Sequence, residues 1–304
     1  MYPEGIALRY LALEAEELFW RMLDHGEFAA AEMSLGAYVA RRSKGLDDLV
    51  AIPAFPSRMF RHGAIYVPRG SDVHNPSALS GARIGVPEYA MTAGIWVRGF
   101  LLDDYGVAPS DVTWVQAGLE EPGRHPRVGT EPSGVRVVDG PAGATLNEML
   151  QASQIDAVIS ARRPSCYERG ECRRLFADVE TEERRYFSST RIFPIMHTVV
   201  IQRSLLDREP WVARSLLKAF EAAKDICVRG LAEESALQTS LPFQTSQWEA
   251  AISLMGPDPW AYGVEDNRET LNAFLRMATT QGIADSSLSV EALFAESTLT
   301  GHRI

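Results

Sequence analysis

Short apolar runs of strand character alternate with longer helical stripes along this chain, and that alternation limits its fold more than any other feature. Strands separated by a helix run parallel in one sheet, because a parallel return needs a long crossover and a helix supplies it. The chain is therefore expected to be α/β, with sheets flanked by helices. Residues 6–13 alternate as a strand, and residues 14–25 carry Leu18, Phe19, Met22 and Leu23 on one helical stripe. Residues 28–33 read as a strand, 34–43 as a helix stopped at Gly45, and 49–55 and 63–67 as two further strands. Asn75-Pro76 opens a brief helix that Gly81 ends.

The middle of the chain repeats the pattern. Residues 83–86 form a strand, Pro87 begins a helix to about Tyr105, and 112–116 form the next strand. A loop over 118–134 leads to a strand at 135–138, and Thr145 and Glu148 have capping-box spacing at a helix start. Residues 155–160 are a strand ending in Ala161-Arg162-Arg163-Pro164. After Phe193-Pro194 one more strand, 196–202, precedes a nearly all-helical remainder, with helices at 210–229, 246–255, 266–281 and about 290–295. This order predicts two lobes: residues 1–82 with 196–304, and residues 83–195, the chain crossing near 81–83 and 193–196. A cleft between such lobes binds small ligands at strand C-termini and helix N-termini.

Composition narrows the partners. Forty Asp and Glu against thirty Lys and Arg give these 304 residues a formal charge of −10. Such a chain lacks the basic field that displaces counterions from phosphates, so no nucleic-acid partner is expected. Met1-Tyr2-Pro3-Glu4-Gly5 shows no basic segment followed by an apolar run, and no stretch approaches the ~18 apolar residues of a membrane span. Cys166, Cys172 and Cys227 are an odd set without zinc-like pairs, which reads as reduced thiols. A cytoplasmic protein with no membrane partner is the expectation, with association of identical copies left open.

Three polar clusters are candidates for chemistry. Phe55-Pro56-Ser57-Arg58-Met59-Phe60-Arg61-His62 sets two guanidiniums and an imidazole between two strands, which suits a doubly anionic ligand; pairing of Arg58 and Arg61 with surface acids is the alternative. Val86-Pro87-Glu88-Tyr89-Ala90-Met91-Thr92 passes from strand to helix, where unpaired N–H groups attract an anion, though Glu88 fits equally as a first-turn residue. Gly118-Leu119-Glu120-Glu121-Pro122-Gly123-Arg124 places adjacent carboxylates in a loop, either as acid/base groups or as a solvated turn. His62 and His197 lie at strand ends near the crossings, as proton carriers or as satisfied interior histidines. Glu32 follows a buried strand and needs a partner, for which Arg58 or Arg61 is the natural candidate. No HExxH, P-loop, GxGxxG or GxSxG motif is present.

Taken together, Ala31–Val39 (AEMSLGAYV), Ala51–His62 (AIPAFPSRMFRH), Arg83–Leu101 (RIGVPEYAMTAGIWVRGFL), Gly118–Arg124 (GLEEPGR), Ile155–Arg162 (IDAVISAR) and Ile192–Ile201 (IFPIMHTVVI) resemble the 4,5-dihydroxyphthalate decarboxylase family. That resemblance implies a two-lobed fold like type 2 periplasmic binding proteins, and non-oxidative loss of CO₂ from a dihydroxylated aromatic dicarboxylate to give protocatechuate. The family carries an additional N-terminal strand where this sequence opens at Pro3-Glu4-Gly5, so a late start or a first lobe lacking that strand is expected.

Chemistry then assigns the expected roles. The reaction needs no cofactor, although a divalent metal held by Glu and His stays open. Ser57, Arg58, Arg61, Tyr89, Thr92, Arg124 and Arg162 are the expected substrate-binding residues, and His62, Glu32, Glu88, His197 and Glu120 the pool of acids and bases, with His62 as proton donor. The alternative is a non-catalytic solute-binding protein for an aromatic or other small organic acid. A decarboxylase recruited to another aromatic acid is a third reading.

Overall fold

The structure, a computed structural model, describes residues 2–123, 128–129 and 132–300. The amphipathic stripe around Phe19 and Met22 forms α1 (Ala15–His25), closed by Gly26 in the left-handed region at φ 57°. β1 (Ala30–Ser34) leads directly into α2 (Leu35–Ser43), whose first turn is capped when Ser34 accepts the Ala37 N–H. β2 (Leu49–Ile52), β3 (Ile65–Pro68) and β4 (Arg83–Val86) follow, and α3 (Thr92–Tyr105) is buried through most of its length. Next come β5 (Thr113–Gln116), β6 (Arg136–Asp139) and α4 (Leu146–Gln151). The predicted capping box of α4 is formed: Thr145 Oγ1 accepts the Glu148 N–H at 3.2 Å and the Glu148 carboxylate accepts the Thr145 N–H at 3.0 Å. β7 (Ala157–Ile159), α5 (Ser165–Glu168), β8 (Cys172–Arg174) and α6 (Val179–Thr190) complete the middle of the chain. β9 (His197–Gln202), α7 (Arg203–Leu206), α8 (Trp211–Leu231), α9 (Gln244–Met255) and α10 (Arg268–Thr280) form the rest.

Two sheets result. The first has the order β1-β9-β2, with β9 antiparallel to both neighbours. The second has the order β6-β5-β4-β7-β3-β8; β6, β5, β4 and β7 are parallel, with α3 crossing from β4 to β5 and α4 from β6 to β7, and β3 runs antiparallel to β7 and β8. The architecture is thus the expected α/β pair of sheet-and-helix lobes with a helical tail. α8 covers the first sheet through Val212, Leu216 and Leu217, while α10 packs on α3 with the Trp96 and Phe274 rings 5.3 Å apart. No helix among the described residues is long and apolar enough to cross a membrane.

Three expectations are corrected. Residues 6–13 form no strand, because alternation suits a segment to a ladder but no neighbouring strand supplies its hydrogen bonds. The helix expected from Pro87 begins only at Thr92. The first crossing lies earlier than 81–83, since β3 already belongs to the second sheet. Two antiparallel segments join the lobes: Arg58 bridges Ile195, the Met59 N–H donates to Pro194 O at 3.1 Å, and the Met196 N–H to Ser57 O at 2.9 Å.

A second joint lies where α2 meets the start of α3. Thr92 Oγ1 takes the Gly36 N–H at 2.9 Å and lies 2.9 Å from Ser34 Oγ. A Cβ on residue 36 would stand 2.5 Å from Ala90 O, so glycine alone allows this approach.

Candidate functional site

The C-terminal ends of β4, β5 and β7 point to one side of the second sheet, and there a cavity of about 430 Å³ opens toward α1 of the first lobe. Pro87 and Met91 from the β4–α3 loop, residues 118–123 after β5, and residues 160–162 after β7 line it, with Glu16 on the far side. Among the described lining residues Arg162 is the single cation, and Glu16, Glu120 and Glu121 are the acids.

These groups are held differently. The Arg162 N–H donates to Ser160 Oγ at 3.1 Å, which sets the turn, while its guanidinium Nε lies 3.7 Å from Glu16. With side chains 65% and 39% exposed, that pair contributes at most ~1 kcal/mol. Glu120 is fixed: its oxygens accept the Ser165 N–H at 2.7 Å and the Ser165 hydroxyl at 2.8 Å, capping α5. Sequence reasoning missed Glu16 and Ser160, whose only signals are a first-turn acid and a strand-end serine.

The first lobe contributes a linked pair. Ser34 stands directly opposite His197 in the β1–β9 ladder, so Glu32, two residues along β1, shares that face. His197 Nδ1 is 2.6 Å from Glu32 Oε1, and a carboxylate there makes Nδ1 the donor. The Phe19 ring meets the imidazole edge-on at 4.9 Å. The dyad does not itself line the cavity, but its neighbours bracket it: Phe19 is one turn along α1 from Glu16, and Ser34 holds Thr92 beside Met91. The expected partner of Glu32, Arg58 or Arg61, is thereby replaced by His197.

The arginine and histidine cluster does not face the cavity. Arg58 is 7% exposed; its guanidinium donates to Phe193 O at 3.3 Å, to Ala261 O at 2.7 Å and to Asn267 Oδ1. Burial pushes its pKa down to about 10, so it stays charged at neutral pH, its two terminal nitrogens held by carbonyls at the joint between lobes while Nε has no partner among the described residues. Arg61 Nε lies 3.1 Å from Met196 Sδ, with Glu183 of α6 as a charged neighbour. Burial holds the Glu183 carboxyl above the usual carboxylate range. His62 is 1% exposed, stacked on Phe100 at 4.3 Å and edged by Phe176 and Tyr186. Neither of its nitrogens has a hydrogen-bond partner among the described residues. It is an interior imidazole, and the expectation of a proton donor there is corrected.

The β4–α3 cluster is also largely turned inward. Tyr89 is buried, its hydroxyl donating to Gln281 O at 3.3 Å beneath the Arg98 guanidinium, and Glu88 is buried and accepts the Val128 N–H at 3.3 Å. Thr92 is spent on the joint with Ser34 and Gly36. Ser57 acts through its carbonyl, which accepts the Met196 and His197 N–H groups. Arg124 lies outside the described residues. No group of three or more His, Cys, Asp or Glu stands together as a metal site among the described residues.

For Arg58 the structure turns an expected loss of catalysis into a loss of stability. Arg58→Ala strips donors from two carbonyls and the Asn267 amide, and is expected to cost about 3 kcal/mol or more, read as a fall in Tm. The folded fraction should keep kcat/KM within about tenfold. An unaltered Tm with activity abolished would return Arg58 to the binding site.

No family model matches the chain. Among curated proteins it is 36% identical over 304 residues to a 4,5-dihydroxyphthalate decarboxylase of Comamonas testosteroni, covering 99% of this chain and 92% of that one. It is 40% identical over 168 residues to a 4,5-dihydroxyphthalate decarboxylase of Pseudomonas putida, covering 55% of this chain and 65% of that one. Among solved structures, a periplasmic sulfonate-binding protein of Methylobacillus flagellatus superposes with TM-score 0.50 at 14% identity, covering 92% of this chain and 76% of that one. The periplasmic aliphatic sulphonate binding protein of Escherichia coli gives 0.50 at 11% identity, covering 95% and 82%. At such identities these two establish the fold alone.

Proposed function

The chain belongs to the 4,5-dihydroxyphthalate decarboxylase family, and from that premise we propose that it converts 4,5-dihydroxyphthalate to protocatechuate and CO₂ in the cavity between its lobes. Each carboxylate of that substrate is para to a hydroxyl. Loss of the phenolic proton pushes electron density onto the ring carbon bearing the para carboxylate. A proton delivered to that carbon makes it tetrahedral and turns the ring into a dienone. The carbon–carboxylate bond then breaks, its electron pair re-forms the aromatic ring, and CO₂ departs.

In this reading Arg162 and Ser160 hold the retained carboxylate, Arg162 exchanging Glu16 for the substrate. Glu121 takes the phenolic proton. His197, oriented through Nδ1 by Glu32, delivers the proton from Nε2 to the ring carbon and is recharged from solvent. One observation carries the assignment: the described wall of the cavity holds one arginine, and a carboxylate-held imidazole, 2.6 Å from its partner, packs on Phe19, one turn along α1 from the wall residue Glu16. A volume of about 430 Å³ is within the usual range for a small-molecule site.

The test is incubation of the protein with 4,5-dihydroxyphthalate, following CO₂ release and protocatechuate formation. Turnover is expected, and Arg162→Ala should raise KM by about 10- to 100-fold with a smaller change in kcat, as loss of a charge-assisted hydrogen bond predicts. Saturable binding with the diacid recovered intact would overturn the reading in favour of a solute receptor.

A further inference from the structure

Beneath the wall of the cavity two thiols meet. Cys166 in α5 and Cys172 in β8 are both buried, and their sulfurs lie 2.8 Å apart. The backbone enforces the approach independently of the sulfurs. The Glu171 N–H donates to Cys166 O at 2.8 Å, Gly170 turns the chain at φ 73°, and the Cys166 N–H is held by Asn147 Oδ1 at 3.0 Å. A disulfide needs its sulfurs about 2.05 Å apart, so closing this pair asks for a movement of under ~1 Å.

We propose that Cys166 and Cys172 are a disulfide-forming pair that a peroxide closes, locking α5 to β8 under the cavity wall. One thiol, as thiolate, attacks the peroxide O–O bond and becomes a sulfenic acid, releasing water. The second sulfur displaces the sulfenic oxygen, which leaves as a second water, and the S–S bond forms. Two electrons pass from sulfur to peroxide, and two thiol protons end in water. Burial holds both thiols above their usual pKa, so the reaction proceeds slowly, through local opening of α5. Once formed, the same burial shields the bond from reductants. The cavity is affected because Ser165, the first residue of α5, holds Glu120, and the Ser160–Arg162 turn lies just before it.

The full-length protein is treated with hydrogen peroxide, alkylated with N-ethylmaleimide in denaturant, and weighed intact. Two of the three thiols should escape alkylation, leaving exposed Cys227 labelled, and dithiothreitol added in the denaturant before alkylation should restore all three. The oxidised protein should melt about 5 °C higher than the reduced one. In Cys166→Ser, Cys172 should remain alkylatable after the same treatment, and its Tm should not rise. Three labelled thiols in the oxidised wild type, or equal loss of the Cys172 thiol in Cys166→Ser, would each overturn the proposal. None of these readouts depends on decarboxylase activity.

Discussion

Replacing His197 by Gln should lower kcat by about a thousandfold while KM changes only a few-fold, because a positioned general acid is worth ~10²–10⁴ and contributes little to ground-state binding. The imidazole is partly exposed and bonded to Glu32 at the end of a strand, so the variant should fold with a Tm near that of the wild type. Glu32→Gln should fall between the two, at about 10- to 100-fold down in kcat. The amide oxygen still accepts from Nδ1 but no longer stabilises the charged ring. In heavy water both variants should place deuterium at the vacated ring position, more slowly than the wild type, since the proton is replaced by one from solvent. A His197→Gln enzyme with wild-type kcat would take proton delivery away from this imidazole and leave the dyad a joint between β1 and β9.

That pair also marks how far the sequence can be read. Glu32 and His197 were each visible as candidates, yet 165 positions separate them and nothing local says that β1 and β9 are ladder neighbours. Where a signal is local it is legible: Thr145 and Glu148 announce α4, and the Phe19–Met22 stripe announces α1. Residues 6–13 carry a good local signal, but a strand exists only through the partner that pairs with it. α6 escaped for the opposite reason: of its twelve residues only Tyr186 and Phe187 are buried, too little for a visible stripe. The dense Ser57–His62 cluster misled because composition does not say what a guanidinium will bond. Arg58 finds its acceptor at Ala261, 203 residues away, and a backbone carbonyl leaves no mark in sequence.

His62 yields the second large effect, and it is one of stability. Its neighbours Phe100, Phe176 and Tyr186 exclude water, and burial pushes its pKa down to about 4 from an ordinary 6.5. The folded protein thus keeps the neutral ring in a range where the unfolded chain already binds a proton. The stability associated with this group is fully present above pH 6.5 and is lost as pH falls through about 4, by about 3 kcal/mol in all. His62→Phe removes two buried nitrogens without partners and keeps an aromatic ring stacked on Phe100. At pH 7 the variant should melt a few degrees above the wild type, since an unsatisfied buried polar group costs ~1–3 kcal/mol. The gap should then widen steadily between pH 6.5 and 4, because only the wild type has a proton to take up there. Other groups titrate over the same interval, but they are common to both proteins and cancel in the difference. Parallel stability curves for the two proteins across this window would show that His62 finds a partner or water in solution, and the dry aromatic setting assigned to it would be wrong.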